Sequence, residues 1–172
     1  ETHGAPSETA LKAALGTLFG QAKYEGAEKP VFRRVAKNDE ALWIDLCDEE
    51  WKAIKVLSGS WEVVDNPPVM FVRSPTMTPL PNPLEKGDLD PLWSLINIPD
   101  EDRILLLCWM LECFRVETPY VVLELVGEQG SAKSKTQDVL RDFVDPNHVN
   151  LRAKPKNREA LFVGAENSHL VS

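Results

Sequence analysis

The chain has 172 residues, 19 Lys+Arg against 27 Asp+Glu for a formal net charge of −8, and 43% hydrophobic residues with five Trp. That is ample material for a packed core, and the acidic balance excludes a large sequence-independent surface for neutralising nucleic-acid phosphates. The longest apolar run, beginning at Ile104, falls far short of the roughly 18 residues a membrane span needs. The small, polar, acidic start lacks the basic and apolar regions of a secretory signal. The expectation is a cytoplasmic chain with no membrane partner.

In chain order, residues 10–22 read as a helix, with Leu11, Leu15, Leu18 and Phe19 at spacings of three and four and Ser7-Glu8 as a capping start. From residue 31 to 73 the period changes to two. Runs at 31–35, 41–46, 53–57, 61–64 and 69–73 are separated by turn chemistry at Asn38-Asp39, Asp48-Glu49-Glu50, Ser58-Gly59 and Asn66-Pro67-Pro68. Short strands in an antiparallel meander are expected. Pro75, Pro79, Pro81 and Pro83 then forbid a helix or sheet interior and suggest a linker at 74–89.

Beyond the linker, Asp90-Pro91 opens a helix carrying Leu92, Trp93, Leu95 and Ile96. Pro99-Asp100 opens a second one running to Arg115, apolar around most of its circumference and so expected to be buried on several sides. Residues 120–126 are β-rich and apolar except for Glu124, the pattern of a central strand covered on both faces. Residues 133–143 and 158–166 have helical spacing, and 169–172 resemble the start of another core strand. Cys47, Cys108 and Cys113 form no CxxC pair and are expected to be buried free thiols.

One motif carries chemistry. Gly127-Glu128-Gln129-Gly130-Ser131-Ala132-Lys133-Ser134 matches GxxxxGK[ST] at its first, seventh and eighth positions. Small residues let successive backbone N–H groups turn inward around a phosphate, and the following helix presents its positive end. Lys133 would reach the β- and γ-phosphates of ATP, the hydroxyl of Ser134 would ligate Mg²⁺, and Lys135 completes the set of nucleotide-binding residues. Ala132 stands where glycine is usual, which is tolerable if that residue already begins the helix. The order strand, loop, helix is the context the motif requires.

This loop, with Val144-Asp145-Pro146-Asn147 after its helix and Leu151-Arg152 and Asn157-Arg158-Glu159 beyond, resembles ATP-binding proteins of prophages and integrative elements, related to AAA+ and superfamily 3 helicases and often joined to primase-type modules. The stretch 61–73 and Met77-Thr78-Pro79-Leu80-Pro81 are similar to the region such proteins place before their ATPase core. The resemblance implies ATP and Mg²⁺ as cofactors, catalytic use of Lys133, self-association of the intact protein and a role in DNA replication or remodelling. It further implies that Asn167-Ser168 leads into a strand ending in the Walker B acid. That acid, the sensor and the arginine finger lie outside these 172 residues, so this chain alone is expected to bind nucleotide better than it hydrolyses it.

Other candidates are weaker. His3, His148 and His169 are scattered, and Cys108 and Cys113 lie on different helix faces, so no zinc site is expected. Asp45, Asp48, Glu49 and Glu50 read as a solvated turn rather than a two-metal site. Trp43, Trp51 and Trp61 read as core rather than as base-stacking platforms. Arg152, Lys154, Lys156 and Arg158 form the best local candidate for DNA contact.

The expected fold is therefore α/β, with a C-terminally incomplete P-loop NTPase-type core preceded by a small antiparallel β-rich module with one N-terminal helix. Its expected divisions are 1–73 for the helix and β module, 74–89 for the linker and 90–172 for the ATP-binding domain. A non-catalytic protein-interaction module that retains a degenerate P-loop is the alternative from another class. A small-molecule kinase would need a lid and substrate pocket that the sequence does not display.

Overall fold

The computed structural model describes residues 5–119, 121–151 and 156–171. The chain forms two compact units, Glu1–Pro30 and Val31–Ser172. The proline-rich segment 74–89 lies inside the second.

The first unit is built on helix α1, Glu8–Tyr24. The Ser7 hydroxyl accepts the Ala10 N–H at 3.2 Å, which satisfies one of the donors a helix start leaves open. Leu11, Leu15, Leu18 and Phe19 form the expected apolar stripe, and all four are exposed.

In the second unit the strands are β1 Val31–Phe32, β2 Val35–Lys37, β3 Leu42–Asp45, β4 Ala53–Leu57, β5 Ser60–Val64 and β6 Met70–Phe71. β2-β3-β4-β5 form the predicted antiparallel meander, while β1 and β6 form a separate parallel pair. The run predicted at 31–35 is thus two strands in two sheets. Arg34, at φ 37°, turns the chain between them. Gly59, at φ 82°, makes the two-residue turn that sets Leu57 opposite Ser60. On one sheet face Trp43 packs with Ala36, Ala41 and Ala53, and Phe32, Val64, Val69 and Phe71 close over them.

Three expectations for this region are corrected. Asp45 belongs to no solvated turn: it is buried, pairs with Arg73 (Nε to Oδ2 2.9 Å) and accepts the Cys47 N–H at 3.0 Å. Trp51 and Trp61 are exposed rather than core. Trp51 lies in the β3–β4 turn at φ 61°, with the Arg73 guanidinium 3.9 Å from its ring centroid. Of the thiols only Cys113 is buried, Cys47 is half-buried and Cys108 is exposed, because Cys108 lies off the inward face of its helix.

The start of the proline-rich segment is stitched on both sides. The Leu80 N–H donates to Leu46 at 2.9 Å, the Thr78 N–H donates to Pro146 at 3.1 Å, and Thr76 accepts the His148 N–H at 2.9 Å. Proline removes donors from such a segment, yet the N–H groups that remain find partners on two flanking turns.

The helices are α2 Asp90–Leu95, α3 Arg103–Glu112 after a one-turn 3-10 helix at Asp100–Asp102, α4 Lys133–Val144 and α5 Arg158–Glu166. Pro91 occupies the first turn of α2, where its missing N–H costs nothing. Leu92, Ile96, Leu106, Met110, Val139 and Leu140 make a core shared by α2, α3 and α4. α3 is buried on one side only, since Ile104, Leu105 and Leu111 are about two-thirds exposed. Its all-round apolarity exceeds what these neighbours cover.

Neither core strand predicted in this half forms among the described residues. Residues 121–126 have no ladder partner, and 168–171 carry a bend. Val121 accepts a hydrogen bond from Trp109 Nε1 at 2.9 Å, while Val122 and Val126 are nearly fully exposed. β-branched composition favours a pleated surface only where a second strand supplies it. The architecture is mixed α/β, with a small antiparallel sheet, a parallel pair and five α-helices among the described residues. No helix among them is long and apolar enough to cross a membrane.

Candidate functional site

The loop at 127–134 is shaped by two residues in the left-handed region, Gly130 at φ 84° and Ala132 at φ 60°. Ala132 is the cap position of α4 and not, as expected from the sequence, its first helical residue. Its carbonyl accepts the first helical hydrogen bond, from the Thr136 N–H at 2.9 Å, while its own backbone keeps the conformation that normally selects glycine. A Cβ on Gly127 would come within 2.8 Å of Ser131 Oγ, the end of a side chain that would have to turn aside.

Lys133 is turned back over this loop. Its ammonium donates to the carbonyls of Gly127 at 2.8 Å and Glu128 at 2.6 Å and to Ser131 Oγ at 3.1 Å. A compact cation with three donors is satisfied there by three oxygens. A phosphate offering charged oxygens would compete for the same donors with stronger, charge-assisted bonds.

α4 begins without a side-chain cap, so its first-turn N–H groups carry the positive end of the helix dipole uncompensated. Ser134 stands in that first turn and is exposed. Lys133 and Ser134 open onto a groove of about 870 Å³, together with Gln137, Trp109, Leu123 and Leu140. Glu128, Gln129 and Gly130 are exposed outside it, and Lys135 pairs with Asp138 at 3.5 Å away from the groove. Of the nine sequence-predicted binding residues, then, Lys133 and Ser134 face the groove, and Gly127, Glu128 and Ser131 hold Lys133.

These residues fit a nucleotide polyphosphate with its Mg²⁺. The loop is turned by Gly130 in the left-handed region, an ammonium is held where anionic oxygens can replace carbonyls, and a hydroxyl lies one residue further on. Among the described residues no group of three or more His, Cys, Asp or Glu is gathered for a metal.

The sequence gives no local sign of Asn97, which touches both ends of the loop–helix junction. Its side-chain amide donates to the Ser131 carbonyl at 3.3 Å, and its backbone N–H donates to Thr136 Oγ1 at 3.4 Å. It lies in the turn after α2, 34 residues before its loop partner.

Further away, His169 Nε2 lies 2.6 Å from the Cys113 carbonyl, and Asp145 Oδ2 accepts the N–H groups of His169 and Leu170 at 3.0 and 3.1 Å. Burial lowers the His169 pKa and raises that of Cys113 to about 11. Of the basic run proposed for DNA contact, residues 152 and 154 lie outside the described residues, while Lys156 and Arg158 are exposed. No family model, no curated protein and no solved structure matches this chain.

Proposed function

We propose that the chain is the ATP- and Mg²⁺-binding part of a P-loop ATPase of a mobile element, cytoplasmic and helicase-like, whose intact form self-associates and works on DNA. The observation that carries this reading is the Lys133 ammonium, gathered by two loop carbonyls and a loop hydroxyl beside the uncapped start of α4. In the proposed complex the β- and γ-phosphates take the place of those oxygens, and the first-turn N–H groups of α4 bind the same phosphates. The Ser134 hydroxyl would hold the Mg²⁺, which would offset phosphate charge. Lys133 orients and neutralises the phosphates and transfers no proton.

The test is calorimetric titration with Mg²⁺ and a slowly hydrolysed ATP analogue, run beside Lys133→Ala. Saturable binding that Lys133→Ala weakens at least tenfold, as the loss of roughly 1.5–3 kcal/mol of charged hydrogen bonding requires, supports the reading. Equal binding by both proteins, or none by a folded wild type, rejects it.

A second reading, a protein-interaction module, draws on the sheet face away from Trp43. There two cross-strand rows, Val35-Ile44-Ile54-Val63 and Lys37-Leu42-Val56-Trp61, are apolar apart from Lys37. Trp61 and Val63 at the edge are exposed. A chain without nucleotide affinity in the titration makes this reading the leading one.

A further inference from the structure

Ser131 is flanked by two left-handed residues, Gly130 at φ 84° and Ala132 at φ 60°. The peptide planes on either side of it are therefore set by conformations of which one is unfavourable for its residue. Something outside the loop has to hold them. Inside the loop, the Ser131 N–H donates to Glu128 at 3.3 Å and the Ser131 hydroxyl receives Lys133. The Ser131 carbonyl points the other way, to the side-chain amide of Asn97 at 3.3 Å. The Asn97 N–H reaches Thr136 Oγ1 at 3.4 Å, and Thr136 is buried in α4.

We infer that Asn97 is a positioning residue for the phosphate loop, tying the Ser131 carbonyl outward so that the loop keeps its N–H groups and Lys133 directed at the phosphates. The inference rests on the nucleotide-binding reading of the same loop. Its physical content is an orientation. The Ser131–Ala132 peptide, next to left-handed Ala132, can rotate as a plane, and rotation would turn the Ser131 carbonyl away from Asn97 and toward the side on which the phosphates are proposed to bind. An oxygen there repels an anion, whereas an N–H attracts it. By anchoring the carbonyl from the turn after α2, Asn97 disfavours that rotation before the nucleotide arrives, and preorganisation of this kind appears as affinity. Asn97 itself is exposed and makes no part of the hydrophobic core, so its substitution leaves the packing intact.

The test compares the wild type with Asn97→Leu, which keeps the shape of the side chain and removes its donor. Three quantities are measured: the Kd for Mg²⁺ with a slowly hydrolysed ATP analogue, the Tm, and amide hydrogen exchange at 129–133 without nucleotide. The expected result is a Kd raised roughly fivefold to tenfold, the effect of one lost hydrogen bond, with faster exchange confined to the loop and an unchanged Tm. Wild-type Kd and exchange in Asn97→Leu overturn the inference. So does a Kd that rises only in step with a falling Tm, which would make Asn97 a residue of the fold. If the wild type binds no nucleotide, the phosphate-loop reading fails and this inference falls with it. Exchange in the nucleotide-free protein separates that outcome from a failure of Asn97 alone, because only the latter leaves the loop amides of Asn97→Leu unchanged.

Discussion

Arg34 and Asp145, 111 positions apart in the chain, form an ion pair with neither side chain accessible to solvent, Nε to Oδ1 3.1 Å. The remaining guanidinium donors reach the carbonyls of Asp45 at 3.0 Å, Thr78 at 2.9 Å and Pro146 at 3.3 Å. The other carboxylate oxygen receives the N–H groups of His169 and Leu170. One cation thus joins the strand meander, the proline-rich segment and the turn after α4. A buried pair is costly to desolvate, and this one offsets the cost by satisfying nearly every donor and acceptor it brings inside.

Removing either partner breaks a buried, hydrogen-bonded ion pair, and because Asp145 Oδ2 also lies 3.6 Å from the buried Arg141 guanidinium, Asp145→Ala withdraws the carboxylate from two cations and is the costlier change. Arg34→Ala or Asp145→Ala is expected to lower the unfolding free energy by about 3–5 kcal/mol, measured by urea denaturation. Lys37→Ala, which breaks the exposed pair with Glu117 at 2.9 Å, should cost less than about 1 kcal/mol in the same assay. Similar effects at the two sites would mean that Arg34 does not hold the unit together.

Ala132 is exposed and left-handed, so glycine there removes a backbone penalty and loses no packing. Against the greater entropy glycine gives the unfolded chain, Ala132→Gly should still stabilise the protein by about 0.5–1 kcal/mol. Ala132→Val should destabilise it by more than about 1 kcal/mol, since β-branching is poorly tolerated at positive φ. Thermal unfolding of both variants checks this pair, and a destabilised Ala132→Gly would contradict the geometry of the cap.

His169 predicts a pH dependence with a definite sign. Chiefly through burial, its folded-state pKa lies below the ordinary 6.5, and the neutral ring donates from Nε2 to the Cys113 carbonyl. Above pH 6.5 the ring is neutral in both states and the contribution to stability is complete. As pH falls below that value the unfolded chain takes up the proton first, so stability is lost until the folded-state pKa is passed. His169→Gln should flatten this part of the stability–pH curve, below pH 6.5. A slope as steep as the wild type's would assign the dependence to other groups.

Local chemistry was legible in the sequence. The periods of two and 3.6, the Ser7 cap, the Gly59 turn and the eight-residue loop motif all depend on neighbours a few positions apart, and α5 forms over the very residues, Arg158–Glu166, that its spacing indicates. Tertiary structure decided what depends on distant partners. Asp45 reads as part of a solvated turn until Arg73 reaches it, and nothing local marks Arg34 or Asn97 until Asp145 and Ser131 lie against them. Residues 121–126 have the composition of a central strand, yet a strand exists only as a ladder, and that requires a second segment alongside. The left-handed Ala132 belongs to the same class. A side chain at that position reveals nothing of its φ, which the loop and the start of α4 impose together against the residue's own preference.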